Sequence, residues 1–178
     1  GFDIVIGNPP YIQLQKALDN TTKYADLYKN KEYETFDRMG DIYCLFYEKG
    51  MKLLHDGGHL TFITSNKWMR AGYGEKLRKF FSNYNPEILI DLGPGVFESA
   101  TVDTSILIIQ KAKNQHCLQA VTIQKGNGKK ITIDTQLQRN GVTLSKLNSD
   151  AWFIGNDAEQ QLKEKIERIG KPLKDWDV

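Results

Sequence analysis

Apolar positions fall into short dense runs separated by polar stretches, and the period inside each run predicts its element. Phe2-Asp3-Ile4-Val5-Ile6, closed by Gly7 and a double proline, has the pattern of a buried strand. Residues 12–40 are polar and lack a clear period, which makes them long for a structureless loop and functional or mobile by expectation. Asp41 stands where an N-cap would, before Ile42, Leu45, Phe46, Leu53 and Leu54 at helical spacing, and Asp56-Gly57-Gly58 is the predicted stop. Strands follow at Leu60–Thr64 and Ile88–Leu92, with a helix from Glu75 to Phe81 between them. A fourth strand, Thr104–Gln110, has no helical pattern before it and is predicted antiparallel. Val121-Thr122-Ile123, Gly126-Asn127-Gly128 and Ile131-Thr132-Ile133 read as a small hairpin. A last helix starts near Asp157, with Leu162, Ile166 and Ile169 on one face and Gly170-Lys171-Pro172 as its stop.

Alternating strands and helices spell an α/β fold with a mainly parallel sheet. Composition adds little: 178 residues fit one domain, and 24 Lys+Arg against 22 Asp+Glu leave a net +2. That balance excludes a charged disordered tail and gives no global electrostatic case for nucleic acid. Locally the picture differs, because residues 111–149 carry seven Lys/Arg, among them Lys125, Lys129 and Lys130, against one acid, Asp134. Such a stretch suits DNA-backbone phosphates, or else is a solvated hairpin. Lys67, Arg70, Lys76, Arg78 and Lys79 form a second basic run, which reads as exposed helix surface. Cys44, Cys117 and the three histidines match no disulfide or metal-site spacing, so no metal is expected. No apolar run reaches the length of a membrane span, and no signal peptide is evident, so a cytoplasmic protein is expected. The chain opens on Gly1 and runs straight into a strand, as a piece of a longer polypeptide would.

Chemistry concentrates in Asn8-Pro9-Pro10-Tyr11, directly after the first strand, where open α/β sheets bind ligands. A chance match to these four letters is on the order of one in a thousand at average residue usage. The prolines fix φ and push Asn8 and Pro9 into extended backbone, making a stiff ledge. The ledge presents a side-chain amide oxygen, a backbone carbonyl and an aromatic face. Two such acceptors suit the two N–H donors of a planar exocyclic amine. Drawing on those hydrogens would free the nitrogen lone pair, while Tyr11 stacks on the ring.

Phe-Asp-Ile-Val-Ile-Gly-Asn-Pro-Pro-Tyr-Ile resembles the catalytic motif of S-adenosylmethionine-dependent N6-adenine DNA methyltransferases, in particular the type II restriction–modification branch that includes fused type IIG enzymes. The resemblance runs over residues 1–112. Gly40-Asp41-Ile42-Tyr43-Cys44-Leu45-Phe46 is similar to the helix lining the cofactor pocket, Gly58 to Trp68 to the next strand, and Gly95-Val96-Phe97-Glu98 through Thr104–Ile109 to the terminal hairpin. The resemblance implies that Asn8 and Pro9 accept the amine hydrogens, Tyr11 and Phe97 hold a flipped adenine, and Asp41 and Tyr43 sit near S-adenosylmethionine. The bland alternatives are that Asp41 is only a helix cap and Phe97 only core. The 12–40 segment, with Tyr24, Tyr28 and Tyr33, would close over base or cofactor, or those tyrosines pack locally.

The family's glycine-rich cofactor motif precedes this strand, and nothing precedes it here. Gly93-Pro94-Gly95 follows a late strand and opens no helix, so it is no substitute. The expected fold is therefore a partial Rossmann-like methyltransferase sheet, later strands only with the last antiparallel, followed by a small hairpin and helix extension. Residues 1–112 would form the substrate-binding half, and 113–178 an extension toward a DNA target-recognition region. Double-stranded DNA and an upstream half of the same polypeptide are the expected partners. The piece alone would be inactive and liable to dimerise through the open Phe2–Ile6 edge. Methylation of release-factor glutamine or of an RNA base, and a non-catalytic DNA-recognition module, remain as alternatives.

Overall fold

The computed structural model describes residues 1–96, 102–123, 132–171, 175 and 176. In chain order the elements are β1 (Phe2–Gly7), α1 (Tyr24–Tyr28), α2 (Tyr43–Leu53), β2 (Leu54–Ser65), α3 (Glu75–Ser82), β3 (Asn85–Gly93), β4 (Thr104–Gln110), β5 (Leu118–Thr122), α4 (Ile133–Asn140), β6 (Val142–Leu144) and α5 (Asp157–Ile169). Short 3-10 turns at Asn66–Met69 and Gly72–Gly74 link β2 to α3. The strands form one sheet in the order β1-β2-β4-β3-β5-β6. β1 runs parallel to β2 and β3 parallel to β5. β4 is inserted antiparallel between β2 and β3, as its short connection predicts. The sheet continues across residue 112 through β5 and β6.

Pairing register divides the sheet into two faces. Val5, Leu60, Phe62, Leu107, Leu89 and Ala120 share the face that α2 and α3 cover. Tyr43, Tyr47 and Met51 of α2, Leu77 and Phe81 of α3, and Trp68 and Trp152 close this core. Trp152 arrives from beyond β6 and meets Trp68 edge-on at 5.3 Å. α2 lies close because Gly50 has no side chain: a Cβ there would stand 2.3 Å from Leu60 Cδ1. The opposite face is covered near β5, where Val121 is buried beneath α4, and bare near β1. Phe2, Ile4 and Ile6 are 61, 66 and 77% exposed. β1 is thus a strand and, among the described residues, has an open outer edge, both as predicted, but one apolar face is bare rather than buried.

Four other expectations change. Asp56-Gly57-Gly58 does not end α2; the chain turns extended at Leu54, and the glycines lie in β2. There Gly57 takes a positive φ of 86° and the register with β1 slips, because several β2 residues oppose one. Val121-Thr122-Ile123 makes no hairpin with Ile131-Thr132-Ile133. β5 pairs instead with β6, and Ile133 opens α4 behind Thr132, whose side chain accepts from the Thr135 amide. Three alternating residues are too few to outweigh an N-cap. The Gly126-Asn127-Gly128 turn lies outside the described residues. The helical stripe also shifts: Phe46 and Leu53 are exposed, while Tyr43, Tyr47 and Met51 face the core. Finally, Arg78 is buried rather than on an exposed helix surface, donating to the carbonyls of Ser149, Trp68 and Ala71.

Segment 12–40 is folded. Leu14, Ala25, Ile42 and Leu45 make a second small core, with Tyr24, Tyr28, Tyr33 and Phe36 packed against it. Fully buried Glu48 of α2 accepts from the Thr35 amide and hydroxyl, each at 3.0 Å, and pins the segment's end to the helix. α5 begins with a capping box, Asn156 with Glu159, and Gly170 caps its end. Its predicted apolar stripe, Leu162, Ile166 and Ile169, is exposed.

Candidate active site

The site is built on the rim where β1, β2 and β3 end. β1 runs out at Gly7 and delivers Asn8-Pro9-Pro10-Tyr11 beside the end of β2. Asn8 and Pro10 are exposed, Pro9 is buried and Tyr11 is half-buried. The Tyr11 hydroxyl donates to the Ile63 carbonyl at 3.4 Å, and the ring meets Tyr43 edge-on at 6.3 Å. Burial pushes the Tyr11 phenol above its ordinary value, so it stays a neutral donor. The ledge is therefore anchored at both ends, by the β1 ladder and by its own tyrosine.

Asp41 and Tyr43 stand behind it. The Ile42 amide donates to the Ile12 carbonyl, tying the start of α2 to the residue after the ledge. Asp41 is not the helix cap: Ile42 holds the N-cap position without a side-chain bond, and the Asp41 carboxylate accepts from the Tyr73 hydroxyl at 3.1 Å. Burial pushes the Asp41 carboxyl up, against the opposing pull of the Tyr73 hydroxyl and the Lys67 charge. Tyr43 is fully buried, and its hydroxyl meets Tyr73 at 2.8 Å. Burial raises both phenols strongly. Tyr73 thus joins the two predicted residues. Sequence reasoning passed over it, although an aromatic between two glycines, Gly72-Tyr73-Gly74, was a visible signal.

At the ends of β2 and β3 the Asn66 amide nitrogen donates to Asp91 Oδ1 at 2.9 Å, and the Gly93 amide donates to the same oxygen at 3.1 Å. Asn66 also holds the entry to β4 through its backbone N–H and the Asp103 carbonyl, 2.9 Å apart. Phe97, Lys125, Lys129 and Lys130 lie outside the described residues. Among the described residues no cluster of three or more His, Cys, Asp or Glu could hold a metal ion, and no helix is long and apolar enough to cross a membrane.

Among the described residues the rim offers one wall for a cofactor as large as S-adenosylmethionine and no second. Among the described residues no glycine-rich turn leads from a strand into a helix, and the outer edge of β1 has no neighbouring strand. Asp41 is a buried carboxylate on the ledge's side of the rim.

A mixed sheet flanked by helices, with its polar groups gathered on the carboxyl rim, is the architecture of class I methyltransferases. A Listeria monocytogenes protein assigned to the class I S-adenosylmethionine-dependent methyltransferases matches 69% of this chain and 37% of its own, at 25% identity and a TM-score of 0.52. The chain belongs to the Eco57I restriction-modification methylase family, whose model matches residues 1–97. The type II restriction enzyme and methyltransferase RM.Eco57I of Escherichia coli is 30% identical over 95% of this chain and 17% of its own length. The type II methyltransferase M.BstVI of Geobacillus stearothermophilus is 33% identical over 64% of this chain and 20% of its own. The chain therefore spans about a fifth of these relatives.

Proposed function

We propose that this chain is the substrate-binding half of a site-specific DNA adenine N6-methyltransferase of a restriction–modification system. The observation that carries the proposal is the anchored Asn8-Pro9-Pro10-Tyr11 ledge on the carboxyl rim, with two acceptors and an aromatic ring on one rigid turn. The Asn8 amide oxygen and the Pro9 carbonyl accept the two hydrogens of an adenine amine, so the lone pair turns toward the methyl donor. Tyr11 stacks on the ring, and Phe97 contacts the base from the other side. The base must leave the duplex, because its amine is otherwise out of reach. S-adenosylmethionine, when bound, supplies an electrophilic methyl group, with Asp41 on the near wall and fully buried Tyr43 behind it. The ledge supplies position, which suffices for an in-line displacement and needs no nucleophilic side chain.

An upstream half of the same polypeptide completes the cofactor pocket, and the bare Phe2, Ile4 and Ile6 face of β1 supports this. Alone, the chain is inactive and prone to pair through that edge. Residues 1–112 make the substrate-binding half, while 113–178 lead toward target recognition, with Lys125, Lys129 and Lys130 on DNA phosphates.

The test uses the full polypeptide and its Asn8→Ala variant, each incubated with labelled S-adenosylmethionine and separately with duplex DNA, RNA and a release factor. Label recovered as N6-methyladenine in DNA, and lost in Asn8→Ala, is the expected result. Label in RNA or in the release factor overturns the substrate; DNA binding without label anywhere leaves a recognition module.

A further inference from the structure

The turn after β2 carries two cations that the ledge chemistry does not use. Lys67 lies in the 3-10 turn Asn66–Met69, and Arg70 caps its end, its amide donating to the Lys67 carbonyl. Both are exposed, and the Arg70 side chain is 69% accessible. The rest of the turn is buried: Asn66, Trp68 and Met69 all face inward.

This turn is held unusually firmly for a surface connection. The Lys67 amide donates to Ser65 Oγ, the Asn66 amide to the Asp103 carbonyl, and the Trp152 amide to the Met69 carbonyl. Buried Arg78 adds two bonds from beneath, to the carbonyls of Trp68 and Ala71. Behind Arg70 lies Asp91, its Oδ2 at 3.9 Å from the guanidinium and its Oδ1 already taken by Asn66 and Gly93. At that distance the pair attracts without a hydrogen bond. Among the described residues the guanidinium donors are therefore oriented by Asp91 and left for an outside acceptor. Lys67 is exposed on the same turn, one residue after buried Asn66. A buried carboxylate thus stands beside one of two exposed cations on a rigid turn of the rim that carries Asn8.

We propose that Lys67 and Arg70 bind backbone phosphates of the DNA strand that presents the target base, an inference that rests on the DNA reading above. Arg70 makes the oriented contact through its fork of N–H donors, and Lys67 adds a point charge one turn earlier. Such contacts fix register on the duplex and carry no sequence information.

The experiment measures binding of the full polypeptide to a mixed-sequence duplex as a function of salt. Each phosphate contact contributes about 0.9 to the slope of log affinity against log salt. Arg70→Ala and Lys67→Ala are each expected to flatten the slope by about that amount, which removes roughly 3.5-fold from the affinity ratio between about 50 and 200 mM salt. Arg70→Lys keeps the charge and so keeps the slope. Lys49→Ala and Lys79→Ala, exposed on α2 and α3, leave it unchanged. S-adenosylmethionine affinity stays the same in Arg70→Ala, Arg70→Lys, Lys49→Ala and Lys79→Ala. A wild-type slope in Arg70→Ala and Lys67→Ala overturns the phosphate contact while leaving the methyltransferase reading intact, and so does a loss confined to S-adenosylmethionine affinity. No salt-dependent binding of duplex by the wild type overturns the DNA reading and this contact with it.

Discussion

The excursion between the ledge and α2 is held by one buried carboxylate, and its removal can be predicted in energy. Thr35 and Glu48 are both fully buried. The Thr35 hydroxyl lies 3.0 Å from Glu48 Oε2 and 3.0 Å from the Cys44 carbonyl, while its amide donates to the same Oε2. Thr35→Val conserves the shape, keeps the amide bond and deletes a hydrogen bond to a charged group, a loss of about 1.5–3 kcal/mol. The damage should be local. Leu14, Ala25, Ile42 and Leu45 form a core of their own, and the Leu14 and Ala25 amides bond within the segment, to the Gly40 and Leu14 carbonyls. With about 2 kcal/mol lost, these two amides should exchange hydrogen roughly 30-fold faster, at about 1.36 kcal/mol per decade. Core amides of β2 and β4 should keep their rates. Glu48→Gln retains an acceptor for Thr35 and forfeits only the charge toward half-exposed Lys52, so its effect should be smaller. Unchanged exchange at Leu14 and Ala25 in Thr35→Val would refute the reasoning, since something other than Glu48 would then hold the segment.

Three further outcomes are expected. Gly50→Ala places a methyl 2.3 Å from Leu60 Cδ1; overpacking of about 1–3 kcal/mol against a helix gain of about 1 leaves a net loss, read by denaturant unfolding. A stabilised variant would show that α2 has slack over the sheet. Tyr73→Phe removes a donor that lowers Asp41, so the Asp41 carboxyl should titrate still higher by carbon NMR, and a downward shift would contradict the site's geometry. The Asp3 hydrogen bond raises His55, whose stabilisation is present below its ordinary 6.5 and lost as pH climbs through the raised value; His55 lowers Asp3, whose stabilisation is present above its ordinary 3.8 and lost as pH falls through the lowered value. The pair helps most between those two values, and Asp3→Asn should bring the His55 proton-NMR titration back toward 6.5; an unmoved titration would mean that the two do not pair in solution.

The sheet was readable because its inner strands are dense apolar runs. Leu60–Thr64, Ile88–Leu92 and Thr104–Gln110 announce themselves, and a dozen residues without helical spacing foretell the antiparallel β4. The ledge was readable for a different reason: two prolines after a strand leave the backbone little choice. Segment 12–40 escaped, since its apolar residues are spaced irregularly and converge only when Ile42 and Leu45 of the following segment complete their core. Arg78 escaped because an arginine on a helix reads as surface, and nothing local tells that the preceding turn and distant Ser149 surround it with three carbonyls. The hairpin at 121–133 misled by alternation alone; the true partner of β5 lies beyond an intervening helix.

The antiparallel strand explains why so many polar groups meet on one rim. β1, β2 and β3 all run the same way, and each ends there: at Gly7, at Ser65 and at Gly93. Had β4 been parallel, a crossover would have carried the chain from the end of β3 to the far rim before β4 began. Because β4 is antiparallel, the chain leaves β3 and enters β4 on the same rim, with stems at Gly93 and Asp103 fastened by Asp91 and Asn66. The topology thus predicts where polar side chains matter. Tyr73, Asn66, Asp91 and Arg70 all follow the end of a strand or fasten one, and none of them sits at the opposite end, where His55 and Asp3 pair in solvent.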